Sequence, residues 1–175
     1  MSWTAPLTAV ANSVFTAAQF NQFVRDNLNE TAPAKATTAG SHFAGTGLNS
    51  IAERLTDTDL VATSQTTIST SYADLATVGP TVTATTGPYA IVFLYNSNVN
   101  STAVSSLMSF EVSGASSIPA ADNQSIGIAG TAGSREGAAF LLDTLTPGSN
   151  TFRCKYRVGS GTGTYADRRI TVFPL

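Results

Sequence analysis

The sequence predicts a mainly β protein: an antiparallel β-sandwich or jelly roll preceded by an N-terminal arm and one short α-helix. Three observations carry this expectation. From about Asp59 onward, Thr, Val, Ile, Phe and Tyr recur in short runs broken by turn residues. Two of those runs alternate with a period of two, the mark of a strand with one buried face. One earlier stretch has the 3.6-residue spacing of a helix, and the β text contains no second one.

Residues 1 to about 15 carry Pro6 and no clear period, and read as an extended arm. Thr16 then opens a helix over 16–32. Thr16-Ala17-Ala18-Gln19 has capping-box spacing, in which the Thr and Gln side chains satisfy free backbone N–H groups reciprocally. Ala17, Phe20, Phe23, Val24 and Leu28 form one apolar stripe, and Pro33 is expected to stop the helix at or before Ala32. A helix of about four turns is marginal alone in water, so the stripe must be covered. It can pack on its own β-domain or dock on another subunit. The second is preferred, because the polar stretch Ala34–Asn49 reads as a linker or strap between helix and sandwich. A short apolar turn, Ile51 to Leu55, leads into the globular part. The expected organisation is therefore an arm unit, 1–55, and a β-domain, 56–175.

Candidate strands are 66–71, 74–78, 81–86, 89–96, 104–113, 124–129, 135–142, 150–158 and 168–173. Gly79-Pro80, Gly87-Pro88, Ser113-Gly114 and Pro147-Gly148 supply turns. Thr151–Val158 is the clearest strand. Phe152, Cys154, Tyr156 and Val158 point to one face, and Arg153, Lys155 and Arg157 to the other. Met108, Phe110 and Val112 repeat the pattern opposite Ser109 and Glu111. Ile91-Val92-Phe93-Leu94 is apolar on both faces, as expected of a strand that bridges a core and a subunit interface. So many strands with no intervening helix imply a sandwich or jelly roll.

Composition narrows the function classes. Charged residues are 11% of the chain, against about 25% in an average soluble protein, and small uncharged polar residues fill the gap. A net charge of −2 gives no global attraction to nucleic acid or to an anionic membrane. The one cysteine, Cys154, cannot form an intrachain disulfide. The N-terminus lacks the basic and apolar regions of a signal peptide. No apolar run approaches the roughly 20 residues of a membrane-spanning helix.

No constellation of catalytic residues emerges, and the expectation is a protein without enzymatic activity, metal or cofactor. His42 is the only histidine and lies in the strap. Cys154 reads as a small core residue. Gly159-Ser160-Gly161-Thr162-Gly163 lacks the spacing and following helix of a phosphate loop, and reads as a hairpin connection. Asp57, Asp59, Asp122, Glu136 and Asp143 lie in no aromatic-rich stretch that would make a sugar cleft. Calcium at Asp57/Asp59 or Asp122/Asn123 has no ligand-loop spacing to support it. The basic face Arg153, Lys155, Arg157 is either solvated, blunting edge pairing, or a subunit contact with carboxylates such as Glu111, Glu136, Asp143 or a partner's. Nucleic-acid binding is disfavoured, because no aromatic residues alternate with the charges.

Two stretches carry a resemblance. Val14-Phe15-Thr16-Ala17-Ala18-Gln19-Phe20-Asn21 running into Val24-Arg25-Asp26-Asn27-Leu28 resembles an N-terminal segment of structural proteins from phages of actinobacteria and their relatives. Ser71–Thr77, Leu145–Phe152, Asp167-Arg168-Arg169 and the ending Val172-Phe173-Pro174-Leu175 are similar to the C-terminal β-domains of the same proteins. Those domains are themselves similar to tumour-necrosis-factor-like jelly rolls of trimeric knobs. The resemblance implies a virion protein, assembled in the host cytoplasm, with other virion proteins (major capsid or tail) as partners. It implies a homotrimer; the residue readings above make Ile91, Phe93, Arg153, Lys155 and Arg157 the candidates for its subunit interface, and Phe20, Phe23, Val24 and Leu28 the candidates for particle docking. The short arm and the lack of a shaft favour a head decoration or minor capsid protein. The alternative is a minor tail or tail-tip protein whose β-domain binds a host surface glycan. Against that, the only tryptophan, Trp3, lies in the arm rather than where a sugar could stack.

Overall fold

The computed structural model describes residues 4–8 and 10–175. Trp3 therefore lies outside the described residues. The chain divides into two compact units, Met1–Leu55 and Thr56–Leu175.

In the first unit, Thr16 caps the helix as its sequence predicts. Its hydroxyl accepts from the Gln19 N–H at 3.2 Å, and the Gln19 side chain accepts from the Thr16 N–H at 2.9 Å. The helix comprises α1 (Ala17–Phe20), a π-helical turn (Asn21–Arg25) and α2 (Asp26–Asn29). It ends at Asn29, within the expected limit of at or before Ala32, but Pro33 is not what stops it. Pro33 sits instead in the first turn of a separate α3 (Ala32–Lys35), where a missing N–H has no cost. The strap is a second correction. Part of it forms a hairpin, β1 (His42–Gly47) with β2 (Ser50–Arg54), around Asn49 in the left-handed conformation. The expected apolar turn at Ile51–Leu55 is mostly the second strand of that hairpin. Its glycines and threonines masked the alternation.

The second unit is an antiparallel β-sandwich with jelly-roll strand order. One sheet runs β5 (Thr81–Thr86), β10 (Gly148–Val158), β7 (Ser105–Gly114), β8 (Ser125–Ala129). The other runs β3 (Asp57–Val61), β11 (Gly163–Pro174), β6 (Ala90–Asn100), β9 (Ser134–Leu142), and the short β4 (Gln65–Thr67) also pairs with β11. The core lies between the sheets. Phe152, Cys154, Tyr156 and Val158 of β10 interlock with Met108, Phe110 and Val112 of β7, and with Val92, Leu94, Ile170 and Val172 of the facing sheet.

Some expected strands differ. β3 is absent from the expected strands, because its two aspartates hide a strand of five residues. The expected strand 66–71 shrinks to β4. The expected strand 74–78 forms no strand; it is a loop, with an isolated bridge from the preceding Ala73 to Tyr156 and with Leu75 packed into the core. Gly79-Pro80 and its neighbours turn there through a cis peptide. β11 begins at Gly163 rather than 168. Its register slips between Ala166 and Arg169, where Asp167 adopts a positive φ. That bulge swings Arg168 into the core, where it is 0% exposed.

Candidate functional site

The helical unit carries much uncovered apolar surface for its size. Phe20 is 49% exposed and Leu28 59%, while Phe23 and Val24 are half-buried. Leu7, Val10, Val14, Phe15 and Leu48 are exposed as well. Phe15 and Phe20 meet edge to face, their ring centres 6.2 Å apart. The π-turn explains which residue turns inward. Its wider turn breaks the regular spacing, and in the next turn Asn27 is buried instead of Leu28. Asn27 uses its amide fully. It donates to the Thr4 carbonyl at 2.9 Å and the Phe23 carbonyl at 3.1 Å, and accepts from the Thr4 N–H at 2.8 Å. The motif thus ties the arm back onto the helix. Asn27 lies off the apolar stripe of the sequence, and nothing in the spacing distinguishes it from Asn29.

Elsewhere in this unit, Glu53 on β2 accepts hydrogen bonds from the backbone of Thr37 and Thr38 at 3.0 and 2.8 Å. Hydroxyls of Ser41 and Thr37 bond it too, and together these donors hold its carboxyl down at about 2. Lys35 pairs with Glu30 at 2.6 Å and donates to the Ile51 carbonyl at 3.0 Å.

The sandwich has two unlike outer faces. On the β5-β10-β7-β8 sheet, the basic residues find partners within their own unit. Lys155 lies 2.8 Å from Asp74 and 3.1 Å from Glu111, with Arg153 3.9 Å from both. Arg157 pairs with Asp122, which also accepts from the Tyr72 hydroxyl at 2.9 Å, and its guanidinium lies 5.5 Å from the Tyr72 ring centre. Arg157 holds the Asp122 carboxyl below its ordinary range, and Tyr72 adds to this. Of the carboxylates expected as partners, Glu111 is one; Glu136 and Asp143 are not among those pairing with these bases. Asp122 is thus committed to Arg157. Asp59, also weighed for calcium, accepts from the N–H groups of Leu60 and Thr81.

The other sheet turns an apolar face outward. Leu141, Ile91 and Phe173 lie side by side across β9, β6 and β11. Ala139, Phe93 and Thr171 form the next row, and Gly137, Tyr95 and Arg169 the one after. Leu141 is 65% exposed, and Phe93 and Leu60 are largely exposed too. Ile91 and Phe93 therefore share this face, as their alternation with the buried Val92 and Leu94 requires. They stand on the opposite sheet from Arg153, Lys155 and Arg157, so the five residues expected at one interface fall on two separate faces.

Among the described residues, no three His, Cys, Asp or Glu side chains gather as a metal site, and no helix is long and apolar enough to cross a membrane. Cys154 is fully buried, and burial pushes its thiol pKa up. No protein-family model matches the chain, and no curated protein is significantly similar to it in sequence.

Proposed function

We propose that this chain is a non-enzymatic structural protein of a bacteriophage particle, a head decoration or minor capsid protein. In this reading the helical unit docks on another virion protein and the sandwich is displayed outward. The observation that carries it is the fate of the phage-like segment. Val14–Leu28 forms a capped helix with its arm tied back, yet leaves Val14, Phe15, Phe20 and Leu28 exposed. A small unit that spends its polar groups on its own order and leaves its large apolar side chains outside is built to be covered. Burying each such side chain is worth roughly 1.5–3 kcal/mol, enough in combination to hold an accessory protein after the entropy of docking is subtracted.

The apolar face of the β3-β11-β6-β9 sheet supports the second half of the reading. Contiguous exposed apolar patches mark interaction sites. Here the occupant proposed is a second and third copy of the chain, as the resemblance to knob-like jelly rolls implies. Three helical units per assembly would then bind the particle together, multiplying the hold through effective concentration.

The test is particle incorporation. Phe20→Ser with Leu28→Ser should leave a folded protein that no longer joins particles grown on a host supplying only the variant. Wild-type occupancy of the folded variant would overturn the docking assignment. Loss of folding would show instead that these side chains belong to the unit's own core.

A further inference from the structure

The interior of the sandwich changes character along β6. Ala90, Val92 and Leu94 meet the apolar core, but the next inward positions are Asn96, Asn98 and Asn100, all buried. Asn100 is spent on structure. It donates to the Ser106 hydroxyl at 3.0 Å and the Ser160 carbonyl at 3.1 Å, and accepts from Thr102. Asn98 is not. Its amide nitrogen donates to Asn96 Oδ1 at 3.2 Å, while its own Oδ1, on a residue 2% exposed, has no hydrogen-bond partner among the described residues. The amide orientations are set by Asn96, whose nitrogen faces the Met108 sulfur at 3.5 Å.

On the neighbouring strand, Glu136 is paired directly opposite Asn96, and Ser134 opposite Asn98. Directly paired residues project to the same face, so the four side chains form one patch on the inner side of this sheet. Ser134 donates to a Glu136 carboxylate oxygen at 2.8 Å. Glu136 is half-buried and has no ion-pair partner among the described residues. An unpaired carboxylate beside a buried, unpartnered amide oxygen is an arrangement of electron pairs facing too little positive charge. Buried polar atoms without partners call for a bound water or ion, and the carboxylate favours the ion.

We propose that Asn96, Asn98, Ser134 and Glu136 bind a monovalent cation of sodium's size. Hard cations take oxygen ligands, and the patch offers amide, hydroxyl and carboxylate oxygens. One carboxylate matches a single positive charge, whereas a divalent ion usually recruits more. Access is through β9, an edge strand of its sheet, where Ala138, the next inward residue, is exposed. A different role for Glu136 is as an inward-pointing charge that discourages edge-to-edge pairing. That role predicts no dependence on the identity of the salt.

The experiment uses the full chain at constant ionic strength, replacing choline chloride by sodium chloride. Site binding in the tens of millimolar range should raise the melting temperature of the sandwich by about 4–6 °C at 200 mM sodium. Glu136→Gln should abolish that rise. Crystals of the wild-type protein soaked in thallium(I) should show an anomalous peak within bonding distance of Asn98 Oδ1. Equal melting in both salts, a rise retained by Glu136→Gln, or a site occupied by water alone would each overturn the proposal. The thallium measurement decides the matter if the variant fails to fold.

Discussion

The guanidinium carbon of Arg168 lies 5.3 Å from the centre of the Tyr156 ring, with both side chains sealed in the sandwich. Among the described residues the charge has no carboxylate partner within hydrogen-bonding distance. It is solvated by the carbonyls of Thr63, Thr77 and Gly79 and by the Gln65 side chain, at 3.3–3.5 Å. The Tyr156 hydroxyl reaches the same Gly79 carbonyl at 2.8 Å. Arg168 therefore acts as a rivet for the 62–80 segment, which lacks long strands of its own. Replacing it with Met should leave those carbonyls without a partner and cost about 2–4 kcal/mol, read as a lower midpoint in urea unfolding. Unchanged stability in Arg168→Met would show that the segment is held by its backbone alone.

The apolar sheet face yields a separate expectation. Phe93→Glu with Leu141→Glu should lower the sedimentation coefficient to that of a monomer. Both positions point outward, so the unfolding midpoint of the dissociated chain should change little. A wild-type protein that remains monomeric at high concentration would remove the basis for self-association.

Cys154 offers a probe of the core. Its thiol is fully buried and its pKa is raised by that burial, so little thiolate exists at neutral pH and reagents cannot reach it. A disulfide reagent should label the native protein only at the rate of global opening, and label the chain fully in guanidinium. Fast labelling under native conditions would contradict the packing of β10 against β7.

The helical unit should weaken in acid for a specific reason. Glu53 titrates near 4.5 when unfolded and at about 2 when bonded by Ser41, Thr37 and Thr38. Its folded-state value is depressed, so its contribution is fully present above the unfolded value and is lost as pH falls from about 4.5 toward 2. Carbon-detected titration should place the Glu53 midpoint near 2. Glu53→Gln should flatten the dependence of this unit's stability over that window.

What was legible from sequence follows a physical division. The alternation of Phe152, Cys154, Tyr156 and Val158 against Arg153, Lys155 and Arg157 could be read because a half-buried strand writes its two faces in opposite chemistries. The capping box at Thr16 could be read because it is local. β3 could not, since its aspartates serve neighbouring N–H groups instead of marking a loop. Arg168 was hidden because the bulge at Asp167 shifts the inward phase of β11 from Gly163 and Tyr165 to Arg168, Ile170 and Val172, and a bulge leaves no periodic trace. The buried Asn96, Asn98 and Asn100 were equally hidden, because alternating asparagines look like a polar strand end until the facing sheet covers them. The shared face of the basic residues and one partner, Glu111 on the neighbouring strand, could be read from the alternation, but the other two carboxylates that answer it, Asp74 and Asp122, lie far off in sequence outside the strands.

The clasp between Thr4 and Asn27 turns the arm from a free tail into a closed loop, pinned at Thr4 and again at the Thr16 cap. Leu7, Val10 and Val14 hang on that loop and cannot wander far from the helix. A surface that receives Phe20 and Leu28 meets those residues at millimolar effective concentration or higher. Engagement of helix and loop then tends toward all or none, and release requires both to let go together.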